Sequence, residues 1–167
     1  MGRETVTPST KSTPTPKSVA VSPSGELYGV SLNQYPDAQG TLKKRLYRLS
    51  SSGASEGFVQ FSGATLYVFG MDFGPDGVLY GIALTTVDGV KWSIVSIDPE
   101  TGVTELVTHI TPQPDGDIDI DGDFVLRGIS VDSLLKFDLI GKSMLSTVVI
   151  PGFNTGFSSI SSVVYVP

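Results

Sequence analysis

Hydrophobic and polar residues alternate over short stretches along most of the chain. Gly, Pro, Asp or Ser interrupts the alternation every few residues. The stretch Gly70–Gly81, GMDFGPDGVLYG, shows the pattern most clearly. Met71 and Phe73 would share one face of a strand, because successive side chains point to opposite sides. Gly74-Pro75-Asp76-Gly77 supplies a turn: proline presets φ, Asp bonds nearby backbone, and Gly accepts a positive φ. Val78–Ala83 then returns as an apolar strand. Ser18–Gly29 (SVAVSPSGELYG) reads the same way, and Asp117–Gly128 (DIDIDGDFVLRG) does so more loosely. Gly29, Gly81 and Gly128 hold equivalent places, about fifty residues apart.

A second hairpin is predicted after each of these. Leu46–Leu49, Ile94–Asp98 and Leu134–Asp138 read as strands, each followed by a turn ending in Gly53, Gly102 or Gly141. Glu56–Phe61, Val103–His109 and Ser143–Ile150 complete the repeats. Four short strands in about fifty residues is the arithmetic of a propeller blade. The predicted fold is all-β, in antiparallel four-stranded blades: a partial β-propeller of about three blades plus one terminal strand. The expected blades span residues 18–63, 64–108 and 109–151, and Phe157–Val166 is the strand candidate in the remainder. The most helix-like stretch, Asp132–Leu139, alternates better at period two than at 3.6. Residues 1–17, rich in Thr, Ser and Pro, read as a disordered leader or linker.

The segments SPSGELYG…LYRLSSSG and GPDGVLYGIA…SIVSIDPETG resemble blades of bacterial β-propeller repeat proteins. The shared pattern is S-P-D-G-x-L-Y-G … I-D-x-x-T-G, found loosely among NHL, surface-layer and quinoprotein-like propellers. The resemblance covers most of Ser18–Ile150. The third repeat departs from it, with Arg127 in place of Tyr and no proline in its turn. These motifs are turn and strand chemistry, so the resemblance implies a fold and leaves activity open. Propellers close with about four to eight blades. Three blades therefore imply self-association or the remainder of a larger propeller.

Composition narrows the partners. Of 167 residues, 40% are hydrophobic and 17% charged, enough for a packed core. A net charge of −6 argues against nucleic acid, and only Lys43-Lys44-Arg45 gathers basic side chains. That triplet reads as a solvated loop end. The absence of cysteine excludes disulfides and thiolate chemistry. No apolar run of about 18 residues predicts a membrane span, and residues 1–17 lack the apolar segment of a signal peptide. An extracellular or cell-surface setting is the better expectation.

The sharpest local signal is Asp117, Asp119, Asp121 and Asp123 around Gly122. Alternating aspartates at a glycine bend resemble the opening of a calcium loop. A closing Glu is missing, since Gly128 stands at the twelfth position, and a plain strand and turn is the competing reading. His109 is the single histidine and reads as a surface residue beside a Pro-rich loop. The loops Asn33–Lys43 and Thr85–Lys91 vary between repeats, and Tyr35, Asp37, Asp88 and Trp92 are their ligand-binding candidates. The chain is expected to be a non-catalytic scaffold or recognition module for a protein or carbohydrate. The alternative is part of a propeller hydrolase, lactonase- or glycosidase-like, calcium being its one candidate cofactor.

Overall fold

A computed structural model describes residues 15–63, 65–112, 116–130 and 133–150. Among these residues there are strands and turns and no helix. The first sheet holds β1 (Pro16–Val21), β2 (Leu27–Ser31), β5 (Arg45–Leu49) and β6 (Ser55–Gln60), in that order. The second holds β7 (Thr65–Phe73), β8 (Leu79–Thr85), β9 (Lys91–Ile97) and β10 (Thr104–His109). The third holds β11 (Ile118–Ile120), β12 (Val125–Ser130), β13 (Ser133–Asp138) and β14 (Ser143–Val149). Each is an antiparallel meander, so the chain is a partial propeller of four-stranded blades. Within the loop after β2, β3 (Tyr35–Pro36) and β4 (Leu42–Lys43) form a small extra hairpin. The strand candidate Phe157–Val166 and the short loop Val131-Asp132 lie outside the described residues.

The repeated glycines are register equivalents. Gly29 pairs with Val19, Gly81 with Met71 and Gly128 with Ile118. A Cβ on Gly81 would sit 2.8 Å from Ile97 Cδ1 and 3.2 Å from Val68 Cγ1. The position is small because neighbouring side chains lean over it. The turns use glycine differently. Gly25 and Gly77 are left-handed, at φ 87° and 77°, as are Gly53 and Gly102, at 79° and 74°. The third blade breaks the pattern. Its first turn places Phe124 at φ 59°, and its second places Lys142 at φ 50°, so Lys142 rather than Gly141 holds the left-handed position.

Two cores lie between the sheets. Tyr28, Val30 and Leu46 of the first blade meet Met71, Leu79 and Val95 of the second. Ile82 and Ile94 meet Ile118, Ile120, Leu126 and Phe137 across the next gap. The first strands of the blades are also locked by hydrogen bonds. Ser18 Oγ accepts from Met71 N at 3.1 Å and donates to Asp117 Oδ1 at 2.6 Å. Asp72 Oδ2 accepts from Ile120 N at 2.8 Å. In both latches a side chain of one blade captures a backbone N–H of the next, worth about 1.5–3 kcal/mol where the acceptor is a carboxylate. Gly70 allows β11 to come this close: a Cβ there would lie 2.7 Å from Gly116 O and 2.9 Å from Asp117 Cα.

Candidate functional site

Strand direction places the inter-strand connections alternately at two ends of each sheet. The turns 22–25, 74–77 and 121–124 share one end; Pro23 approaches Gly77 there, within 3.8 Å of where its Cβ would be. The loops 33–43 and 85–91 stand at the other end.

At the loop end, cations stack on aromatic rings. The Arg45 guanidinium lies 4.0 Å from the ring centres of both Tyr35 and Phe58, so it is held between them. Phe58 in turn tilts against Tyr47, with centroids 5.7 Å apart. Gln60 donates to the Tyr35 carbonyl at 2.8 Å. Beside this cluster, Lys17 and Lys44 face the Phe69 ring at 4.4 and 5.3 Å. Each such contact contributes about 0.5–2 kcal/mol, depending on how dry it is. Lys44 is buried, and burial, helped by the nearby Lys17 charge, lowers its pKa to about 8. Trp92 packs on Phe69 with centroids 4.5 Å apart.

The four loop candidates fall in two places. Tyr35 and Asp37 belong to the β3–β4 hairpin. Asp37 Oδ1 accepts from Gln39 N and Thr41 N at 2.9 and 2.8 Å, and Lys43 lies 4.0 Å from its other oxygen. Its carboxylate builds the hairpin. Asp88 is exposed at the tip of the β8–β9 turn, at φ 53°. Trp92 is half-buried against the second core. Lys17, Phe58 and Phe69 were not singled out from sequence. The triplet Lys43-Lys44-Arg45, expected as a solvated loop end, was the available signal. Lys44, in the step between β4 and β5, is instead buried, while Arg45 opens β5 and stacks on two rings, a difference the run of three cations hides.

Ser93, His109 and Asp88 match the residue types of a hydrolytic triad. Ser93 Oγ lies 2.9 Å from His109 Nδ1, and His109 Nε2 lies 3.9 Å from Asp88 Oδ2. Ser93 is 0% exposed and also bonded to Thr85 Oγ1 at 2.9 Å, so a substrate carbonyl cannot reach it. His109 itself ends β10 and is half-buried, not a surface loop residue.

The aspartate run is divided between tasks. Asp117 bonds Ser18, and burial raises its pKa. Asp121 accepts from Asp123 N and Val125 N at 2.9 Å and from Arg127 Nη2 at 2.6 Å. Burial alone would raise the Asp121 pKa, but these donors outweigh it and the net shift is downward. Asp123 is exposed beyond the turn, and Asp119 is half-buried on β11. Among the described residues no group of three or more His, Cys, Asp or Glu side chains could hold a metal ion. Asp72, not flagged from sequence, is a further half-buried carboxyl here; burial raises its pKa too.

Comparison with known proteins gives a fold and no family. No family model and no curated protein matches the chain. A gluconolactonase from Xanthomonas campestris is similar in structure, with TM-score 0.52 and 20% identity over 80% of this chain and 46% of its own. A protein of unknown function from Bacteroides caccae follows, at TM-score 0.45 and 11% identity, covering 84% and 48% of the two chains. Kuenenia stuttgartiensis hydrazine synthase matches at TM-score 0.44 and 16% identity, covering 89% and 53%. The chain spans about half the length of these structures. The fold is of the β-propeller type.

Proposed function

We propose that the chain is a non-catalytic propeller-type recognition module that binds a protein or carbohydrate at its loop end. The observation carrying this reading is the cation–aromatic surface of Tyr35, Arg45 and Phe58 beside Lys17, Lys44 and Phe69. Binding surfaces of this kind sit on loops held by a rigid frame, and stacked Arg and aromatic groups are typical binding anchors. The excess of positive charge selects a ligand carrying carboxylates or similar acidic groups.

Trp92 is the single tryptophan and stacks on Phe69, so its fluorescence reports on this surface. Titration with an oligomer of L-glutamate and with a uronic-acid oligosaccharide is expected to change it saturably. Lys17→Ala and Tyr35→Ala should each weaken binding roughly tenfold. Unchanged fluorescence with both probes contradicts the reading.

The similarity to a gluconolactonase fold prompts a second reading, a hydrolase fragment with its site on the first strands. Its carboxyls would be Asp72 and Asp117. Both are engaged by backbone N–H groups or Ser18, which is the work of a latch between blades. The recognition reading therefore stands first.

A further inference from the structure

Two turn positions that carry glycine in the first two blades carry other residues in the third. Phe124, at φ 59°, stands where Gly25 and Gly77 do, and Lys142, at φ 50°, stands where Gly53 and Gly102 do. Side chains are disfavoured in the left-handed region by sterics, and strain of this kind collects at functional sites. The two turns are joined by Leu139 N donating to the Phe124 carbonyl at 3.1 Å. Both residues line one groove, a cleft of about 540 Å³ between the second and third blades at the turn end. Asp76, Tyr80, Val107 and Ile140 complete the part that matters. Packing of Phe124 against the second core explains some of its placement. Lys142 is exposed, so burial does not explain it.

We infer that this groove is a carbohydrate site that takes one pyranose ring of a neutral glycan. Tyr80 and Phe124 offer aromatic surface for the apolar face of a sugar. The Tyr80 hydroxyl donates to Asp76 Oδ2 at 2.9 Å, and Val78 N donates to Asp76 Oδ1 at 3.1 Å. A carboxylate has about four acceptor positions, so Asp76 retains room for sugar hydroxyls. Burial and the Asp76 carboxylate push the Tyr80 pKa up to about 12, which keeps its proton in place. Lys142 supplies the opposite kind of group, a pure donor. A cationic ligand would meet Lys142, an anionic one would meet Asp76, and an apolar one would desolvate both. A ring with one apolar face and a rim of hydroxyls satisfies all of them. This site is at the opposite end from the loop surface and does not depend on it.

The test is a backbone amide NMR titration of the whole chain with cellotetraose, maltotetraose and chitotetraose. Each is taken to about 10 mM, where a millimolar site is nearly full. At least one should shift Asp76–Tyr80, Phe124 and Ile140–Lys142 and leave the loops 33–43 and 85–91 unmoved. Lys142→Gly should weaken that binding roughly tenfold without lowering the melting temperature, because glycine relieves the backbone. Phe124→Gly should abolish it. No shifts with any of the three, shifts confined to the loop end, or full affinity in Lys142→Gly would each overturn the inference. Shifts at the loop end alone would still leave the proposed function standing.

Discussion

The two ends of the same three sheets are made of different chemistry. The loop end gathers Lys17, Lys43, Lys44, Arg45 and Lys91, with rings beneath several of them. The turn end is richer in acids, Glu26, Asp76, Asp121, Asp123 and Asp138, with Arg48 and Lys142 among them. The reason is local. Turns between adjacent strands select Asp and Ser, because these bond their own backbone: Asp76 to Val78 N, Asp121 to Asp123 N, Asp138 to Ile140 N. In the longer loops Asp37 meets the same demand within the β3–β4 hairpin, and cations and aromatics gather around it. A net charge of −6 therefore hides a molecule with a basic face. Whole-chain charge is a weak guide to partners when a repeat sorts its charges by position.

The comparison presumes that the blades are locked in register, and this is where the largest effect is expected. Gly70→Ala would push a methyl into the backbone at Gly116 and Asp117. It should cost about 3 kcal/mol in urea unfolding, as overpacking of a tight contact does. A cost near zero would mean the blades slide. Asp72→Ala should cost about 1–3 kcal/mol by stranding the Ile120 and Phe73 N–H groups.

The pH response separates the buried groups of the middle from those of the loop end. Burial raises the Asp72 pKa above its ordinary 3.8. The protonated form is therefore favoured by folding; that contribution is complete below 3.8 and is lost as pH rises through the folded value. Compared with the parent chain, Asp72→Asn should gain relative stability as pH rises through this window, read by thermal melts. Lys44 shifts the other way, to about 8 from 10.5. Between those values the unfolded chain holds the proton and the folded chain does not, so the parent's stability gains with rising pH. Lys44→Met should lack that gain. Smallest of all, Arg48→Ala removes half-exposed ion pairs with Glu26 and Glu56 at 2.6 and 3.6 Å and should cost under about 1 kcal/mol.

Much of the architecture was legible in the sequence. Alternation and turn chemistry located the twelve blade strands to within a few residues but not the β3–β4 hairpin inside the loop 33–43, and Gly29, Gly81 and Gly128 fell into register because the pleat demands it. The site was less legible. Arg45 acts through Tyr35 and Phe58, 10 and 13 residues away: Phe58 meets it across the paired β5 and β6, and Tyr35 from the separate β3–β4 hairpin. Ser18, Asp72 and Asp117 meet across three blades, which no local pattern encodes. Phe124 and Lys142 hide for another reason: nothing in a DGDF or GKS segment announces a left-handed residue.

Whether the loop end binds acidic ligands is decided most directly by Trp92, which packs on Phe69 there. Acidic L-glutamate oligomer is titrated at low and high salt while Trp92 emission is followed, with maltotetraose as the neutral control. The oligomer should give a saturable change that weakens as salt screens the attraction, and the neutral sugar none. A flat Trp92 signal at low salt with both the oligomer and a uronic-acid oligosaccharide would contradict binding at the loop end.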